Sequence, residues 1–203
     1  MSALWLADGP LVLASKSAVR RAILQAAAIP VEVIVADIDE RKIEEQVGAK
    51  DPGEVAVLLA QRKAEAVAKN APGRFIVGAD QTLAFGIKRF TKPVDRASAR
   101  AQLQELRGHT HSLHSGVALV RDGATLYAGV DTAKLTMRNF SDQFLEAYLD
   151  AAGTAVTQTV GGYQLERLGI HCFERIEGTH NTILGLPVFG LFDALRKAGA
   201  LAG

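Results

Sequence analysis

Short apolar runs alternate with helical patterns through the first half of the chain. Residues 11–14 and 31–36 are apolar and rich in β-branched side chains, which predicts two buried strands. Between them, apolar residues at 19, 23, 24 and 27 recur at the spacing of one helix face. A second helical stripe runs from residue 54 to about residue 70. A third strand is predicted to begin at 75–77 and to continue to 85.

Apolar and polar residues alternate with a period of two through the middle of the chain. This alternation predicts strands over 116–121, 126–130 and 132–138, with a hairpin turn at Asp122 and Gly123. Three more helices are predicted: one capped by Asp95 or Ser98, one capped by Ser141, and one over 188–197. Early strand–helix alternation and later antiparallel strands predict one α/β domain over 1–203. Its mixed twisted sheet, with flanking helices, would form two lobes around a central cleft.

The amino-acid composition bears on whether the chain binds nucleic acid or a membrane and on whether it forms a disulfide. The 203 residues carry 23 basic and 22 acidic side chains, so nothing favours a nucleic-acid polymer as partner. The single cysteine, Cys172, excludes an intrachain disulfide and is expected to be a small buried residue. No apolar run approaches the roughly 18 residues of a membrane span, and the N-terminus lacks a secretory pattern. We therefore expect a cytoplasmic protein with no membrane partner.

The segment from residue 11 to 21 has the pattern of a strand that turns sharply into a helix. Ser15 and Ser17 are good N-cap residues, and backbone N–H groups at such a turn point toward one place together with the positive end of the helix dipole. With the guanidinium of Arg20 or Arg21, they would form a phosphate cradle. An ordinary capped helix with solvated basic residues fits the same pattern.

Three charged residues lie at positions in the predicted elements where a catalytic or binding site could form. Asp80 ends an apolar run after two small residues, and acids at strand ends often carry chemistry in α/β folds. Lys63 lies beside the apolar stripe of its helix, where a lysine either extends toward solvent or points into a site. Glu40 closes an acidic run from residue 37, which fits either a solvated turn or a site for a divalent cation.

Histidines cluster between residues 109 and 114. Alternate strand positions share a face, so His109 and His111 could bind zinc together. Because no acid or cysteine stands nearby, hydrogen-bonding histidines are the favoured interpretation. A zinc hydrolase built on this pair is the alternative.

Seven sequence blocks, in order and spanning nearly the whole chain, resemble the Maf family of nucleoside triphosphate pyrophosphatases. They are Ala14-Ser15-Lys16-Ser17-x-x-Arg20, Leu59-Ala60-x-x-Lys63-Ala64, Gly78-Ala79-Asp80, Lys92-Pro93, Gly108-x-x-His111, Gly161-Gly162-Tyr163 and Ile176-x-Gly178-(x)6-Gly185-Leu186-Pro187. The resemblance implies a fold related to inosine triphosphatases. It also implies hydrolysis between the α and β phosphates of a nucleoside triphosphate, dependent on Mg²⁺ or Mn²⁺, that yields a monophosphate and pyrophosphate. Members are typically cytoplasmic and often homodimers.

By the same resemblance, seven residues surround the polyphosphate. Ser15, Ser17 and Arg20 would bind the phosphates, Lys63 and Lys92 would supply point charges, and Glu40 and Asp80 would hold the metal, with Asp80 as general base.

Three positions depart from the pyrimidine-preferring pattern of the family and bear on the choice of base. Glu166 replaces a glutamine, and a carboxylate only accepts hydrogen bonds, which suits the adjacent N–H donors of guanine. Gln81 resembles the branch that prefers 7-methyl-GTP, whereas Val19 replaces an aromatic residue of that branch. We therefore expect a guanine-type base. The alternatives are a dTTP- or UTP-preferring pyrophosphatase and a non-catalytic nucleotide-binding regulator of cell division.

Overall fold

The computed structural model describes residues 4–47 and 51–203. The strands are β1 Leu11–Leu13, β2 Val31–Val33, β3 Ile76–Phe85, β4 Lys88–Phe90, β5 Thr110–Arg121, β6 Ala124–Met137 and β7 Phe173–Glu177. The helices are α1 Ala18–Ala26, α2 Glu40–Val47, α3 Pro52–Ala68, α4 Arg96–Leu106, α5 Asp142–Ala152, α6 His180–Ile183 and α7 Val188–Lys197.

The strands form one mixed sheet in the order β2-β1-β3-β5-β6-β7, and β4 pairs with the end of β3. β1 runs parallel to β2 and β3, whereas the remaining pairs are antiparallel. Helices cover both faces, so the predicted mixed α/β class is confirmed. No helix within 4–47 or 51–203 has the length and apolar character needed to cross a bilayer.

Several predicted boundaries change. The two strands expected over 126–130 and 132–138 are one continuous strand, β6, because long pairing with β5 carries it through the polar position between them. β2 is three residues long and stops well before residue 36. Helix α2 was not predicted, because its charged sequence lacks an apolar stripe. The hairpin at Asp122 and Gly123, the Asp95 cap and the helix over 188–197 are confirmed.

Each face of the sheet has its own apolar core. Val12, Ile76 and Val120 pack under α3 on one face. The opposite face carries two clusters. The first, under α1 and α7, includes Leu13, Val77, Leu119 and Leu191, and the second, under α4 and α5, includes Leu83, Leu103, Leu113 and Leu145. Cys172 is fully buried in the second cluster, as predicted.

Helix α3 approaches the sheet unusually closely. A Cβ atom on Gly78 would overlap the carbonyl oxygen of Ala60, and one on Gly116 would overlap the backbone of Ala56. Glycine at these two sheet positions, together with alanines on the helix, allows the two backbones to touch. This contact fixes α3 over the middle of β3, where Asp80 lies.

Replacing Gly78 with alanine would place a methyl group against the Ala60 carbonyl. Since α3 or β3 must then move, we expect the free energy of unfolding to fall by about 2–3 kcal/mol, measured by urea denaturation. Gly86→Ala is the matched control. Gly86 has φ of +59° and nothing within 4 Å, so only backbone strain of about 1 kcal/mol is added. Equal losses in the two variants would contradict this account of α3.

Candidate functional site

The turn from β1 into α1 supplies the first part of the site. Ser17 caps α1, and its hydroxyl accepts from the backbone N–H of Arg20 at 3.3 Å. Ser15 is buried, and its hydroxyl accepts from the Ser17 N–H at 3.3 Å and from Arg20 Nη1 at 3.1 Å. Both acceptor positions of Ser15 Oγ are therefore engaged, and its own hydrogen is the group available to a ligand.

Arg20 is held at three points. Besides Ser15, its Nη1 donates to the carbonyl of Ala79 at 2.7 Å, and its Nε donates to the carbonyl of Gly185 at 2.8 Å. Within the described ranges these bonds use Nε and Nη1, which leaves Nη2 to donate to a ligand. Burial lowers the pKa of the guanidinium from its usual value, and the Asp80 and Glu40 carboxylates oppose that shift. Arginine stays charged in proteins, so this is a fixed cation. The neighbouring Arg21 is exposed.

The central feature of the site is an ion triad. The ammonium of Lys63 contacts Asp80 Oδ1 at 2.5 Å and Glu40 Oε1 at 3.1 Å. Lys63 and Asp80 are buried, with only 8% and 9% of their surface exposed to solvent, whereas Glu40 is exposed at the first turn of α2. Lys63 therefore points into a site, and the end of the acidic run belongs to it. A buried lysine that bridges two carboxylates holds three chain segments together.

A second charged pair lies farther along α2 and was missed by the sequence analysis. Glu44, one helical turn beyond Glu40, lies 3.9 Å from Nη1 of Arg89 on β4. Burial raises the pKa of the Glu44 carboxyl, and nearby Asp80 and Glu40 raise it further, whereas Arg89 and Lys63 lower it. The four-residue spacing of Glu40 and Glu44 was the available signal, and it required knowledge that α2 is a helix.

The ten residues that the family resemblance assigns to phosphate, metal or base line one cleft with a volume of about 1650 Å³. They are Ser15, Ser17, Val19, Arg20, Glu40, Lys63, Asp80, Gln81, Lys92 and Glu166. Lys92 is exposed on the loop after β4, and Glu166 is exposed on the wall that residues 154–167 help to form. The cleft therefore carries cations and carboxylates from six separate parts of the chain.

Gln81 is less available to a ligand than the sequence suggested. Its amide nitrogen donates to Ser115 Oγ at 2.9 Å and to the carbonyls of Thr182 and Ile183 at 3.1 and 3.0 Å. The protein itself therefore uses the donor group of this side chain.

The histidines take different positions. His111 is 1% exposed, and its Nε2 lies 2.7 Å from the hydroxyl of Tyr163 in the cleft wall. Burial lowers the pKa of His111 to about 4, so it is neutral near pH 7. His109 is exposed, and its Nδ1 lies 2.8 Å from the Arg107 carbonyl oxygen. In the part of the chain that the structure describes, no three His, Cys, Asp or Glu side chains are grouped as metal ligands, which argues against the zinc alternative.

Comparison with known proteins assigns the chain to a family. A family model described as Maf-like protein matches residues 10–198. The chain belongs to the Maf-like family. A nucleoside triphosphate pyrophosphatase of Rhodopseudomonas palustris (strain HaA2) is 54% identical over 199 residues, with 98% of each chain covered. Relatives of the same name from Bradyrhizobium diazoefficiens and Paramagnetospirillum magneticum are 50% and 47% identical. They cover 98% and 94% of this chain, and the match covers 98% and 99% of their own length.

Solved structures give a more distant likeness. A HAM1 protein from Coxiella burnetii is similar with a TM-score of 0.41 and 18% identity, covering 64% of this chain and 74% of that one. A nucleoside-triphosphatase, dITP/XTP pyrophosphatase, from Mycobacterium abscessus has a TM-score of 0.38 and 18% identity, over 65% and 76% of the two chains.

The buried imidazole of His111 should make this member of the family sensitive to acid. Its pKa is about 4 in the folded chain and 6.5 as the ordinary value, so the unfolded chain binds the proton more tightly. Stability is therefore lost as the pH falls from about 6.5 to about 4. Between about pH 7 and pH 5, the native chain should lose about 2 kcal/mol more unfolding free energy than His111→Gln, measured by urea denaturation at each pH. An equal loss in both proteins would contradict the buried, neutral histidine.

Proposed function

We propose that this chain is a nucleoside triphosphate pyrophosphatase, which hydrolyses the bond between the α and β phosphates and releases a monophosphate and pyrophosphate. The observation that carries the proposal is the convergence of Arg20, Lys63 and Lys92 with two carboxylates in one cleft. A polyphosphate needs its negative charges neutralised before water can attack phosphorus. The names of the relatives, which match over nearly their whole length, point to the same reaction.

The turn before α1 is suited to hold the phosphate chain. The free hydrogen of the Ser15 hydroxyl and the Nη2 donors of Arg20 remain available after the internal bonds are made. The N-terminus of α1, which Ser17 caps, adds the positive end of the helix dipole. These donors are oriented before a ligand arrives, so little conformational entropy is lost on binding.

The carboxylates of Glu40 and Asp80 fit a divalent cation. Both already converge on one ammonium group, so the space between them favours positive charge. Mg²⁺ is commonly held by one or two carboxylates together with substrate phosphates. Because no third His, Cys, Asp or Glu joins the pair within the described ranges, substrate phosphate oxygens and water would supply the remaining ligands. When bound, Mg²⁺ or Mn²⁺ would lower the pKa of the attacking water and neutralise phosphate charge.

Asp80 is the residue we assign as general base. It stands on β3 beside Lys63, with its carboxylate facing the cleft. Lys63 and Lys92 line the same cleft and would stabilise negative charge that develops on the phosphate. Proton transfer is thus assigned to Asp80, and neutralisation of phosphate charge to the two lysines.

The base preference is proposed to be a guanine-type base such as that of 7-methyl-GTP. Glu166 is exposed on the cleft wall, where its carboxylate can accept two adjacent N–H groups. Val19 also lines the cleft and offers an apolar surface without aromatic stacking.

Asp80→Asn removes the proposed base and retains the shape of the side chain. Pyrophosphate release with Mg²⁺ or Mn²⁺ should fall at least about 100-fold, measured with a coupled pyrophosphate assay. Asp193→Asn, which alters an exposed pair with Lys197, is the control and should retain the native rate. Undiminished turnover by Asp80→Asn would refute the assigned role. Calorimetric nucleotide binding by the native chain, without product from either metal, would favour the non-catalytic regulator.

Glu166→Gln exchanges an acceptor-only group for one with both a donor and an acceptor. In a panel of 7-methyl-GTP, GTP, UTP and dTTP, the native chain should have its highest kcat/KM with a guanine-type base. In the variant, the ratio of kcat/KM for the guanine-type base to that for UTP should fall about tenfold, since hydrogen bonds to a charged group are lost. Glu54→Gln, on the exposed side of α3, is the matched control. A native preference for UTP or dTTP would overturn the assignment of the base.

A further inference from the structure

A row of three polar residues crosses the sheet within an apolar surface. Gln81 on β3 pairs directly with Ser115 on β5, and Ser115 pairs directly with Asp131 on β6. The neighbouring rows of the same face are Ala79, Val117 and Gly129 on one side, and Leu83, Leu113 and Ala133 on the other. Ser115 is fully buried, whereas Gln81 and Asp131 are half-buried. A polar group at a buried sheet position needs a hydrogen-bond partner, so Ser115 requires a polar element above it.

Helix α6 is that element. The carbonyl of Thr182 accepts from Ser115 Oγ at 2.7 Å and from Gln81 Nε2 at 3.1 Å, and the carbonyl of Ile183 accepts from Gln81 Nε2 at 3.0 Å. The hydroxyl of Thr182 donates to Asp131 Oδ2 at 2.6 Å. The last carbonyls of a helix lack partners within the helix, and here the polar row supplies them. Ser115 and Thr182 are both fully buried.

Gly185, two residues beyond the end of α6, reaches the phosphate cradle. The N–H of Gly185 donates to the Thr182 carbonyl at 3.0 Å, and the Gly185 carbonyl accepts from Arg20 Nε at 2.8 Å. Gly185 has φ of +87°, and a Cβ there would lie 3.1 Å from Arg20 Nη2. A side chain at this position would therefore press on the guanidinium, and glycine lets the backbone bind it.

We propose that Gln81, Ser115 and Thr182 are positioning residues that fix the guanidinium of Arg20 for substrate phosphate through α6 and the Gly185 carbonyl. The phosphate-binding role of Arg20 rests on the function proposed above, whereas its fixation does not. The proposal gives Gln81 a task other than contact with the base. It also explains why three strands carry polar side chains in a row under one four-residue helix.

The direct test is solvent exchange at the Nε–H of Arg20. In ¹⁵N-labelled native protein this signal should be protected, because Nε is bonded to Gly185; Arg20→Lys, which lacks the signal, assigns it. Thr182→Val removes the bonds of the Thr182 hydroxyl to Asp131 and to Thr179. Gln81→Met removes the amide bonds to Ser115 and to both α6 carbonyls. Each variant should speed exchange at least about tenfold, since a bond to a charged group is weakened. Thr182→Ser keeps the hydroxyl and should remain protected.

Binding of inorganic pyrophosphate supplies the functional readout. Thr182→Val and Gln81→Met should each weaken it about five- to tenfold in calorimetry and raise KM for a triphosphate by a similar factor, with kcat little changed. Thr110→Val, which breaks an exposed hydroxyl pair with Thr136, should change neither exchange nor affinity. Unchanged exchange in both test variants, or faster exchange with native pyrophosphate affinity, would overturn the proposal. Absence of hydrolysis by the native chain would count against the proposed function alone.

Discussion

The ammonium of Lys63, placed between Asp80 and Glu40, is the interaction on which the site depends. A charge this deeply buried is stabilised by the carboxylates held beside it, and removal of both would leave it uncompensated. The contact requires α3 to lie against β3 with no side chain between them. Gly78 and Gly116 leave that space free. The ion triad therefore depends on close packing of α3 at these two glycines.

Lys63 and Arg89 are cations of the cleft that already have carboxylate partners. Lys63 is matched by two carboxylates, and Arg89 faces Glu44. Arg20 differs, because its internal bonds are to carbonyl and hydroxyl oxygens and leave its charge unpaired by any direct contact within the described ranges. An anionic ligand would therefore find an oriented guanidinium that is ready to bind it, whereas Lys63 and Arg89 would have to exchange partners.

The sequence predicted the structure best where a residue type has a strong local preference, as at helix caps and tight turns. Ser17 as a cap and the glycine at the hairpin turn predicted their local structures correctly. Asp80, which was expected at the end of a strand, lies in the middle of β3, because pairing with β5 continues past it. Helix α2 escaped because its charged residues form no apolar stripe, and Glu44 was therefore missed with it. The row formed by Gln81, Ser115 and Asp131 could not be found from the sequence, because it exists only through the register of three strands.

We propose that Glu40 and Asp80 form half of a cation site, which substrate phosphates help to complete. Electron paramagnetic resonance of Mn²⁺ titrated into the chain, with and without a non-hydrolysable α,β-methylene triphosphate, tests it most directly. The account predicts weak binding of Mn²⁺ alone, and binding at least about tenfold tighter with the analogue that is lost in Glu40→Gln. Equal Mn²⁺ affinity with and without the analogue, or an unaltered enhancement in Glu40→Gln, would contradict it.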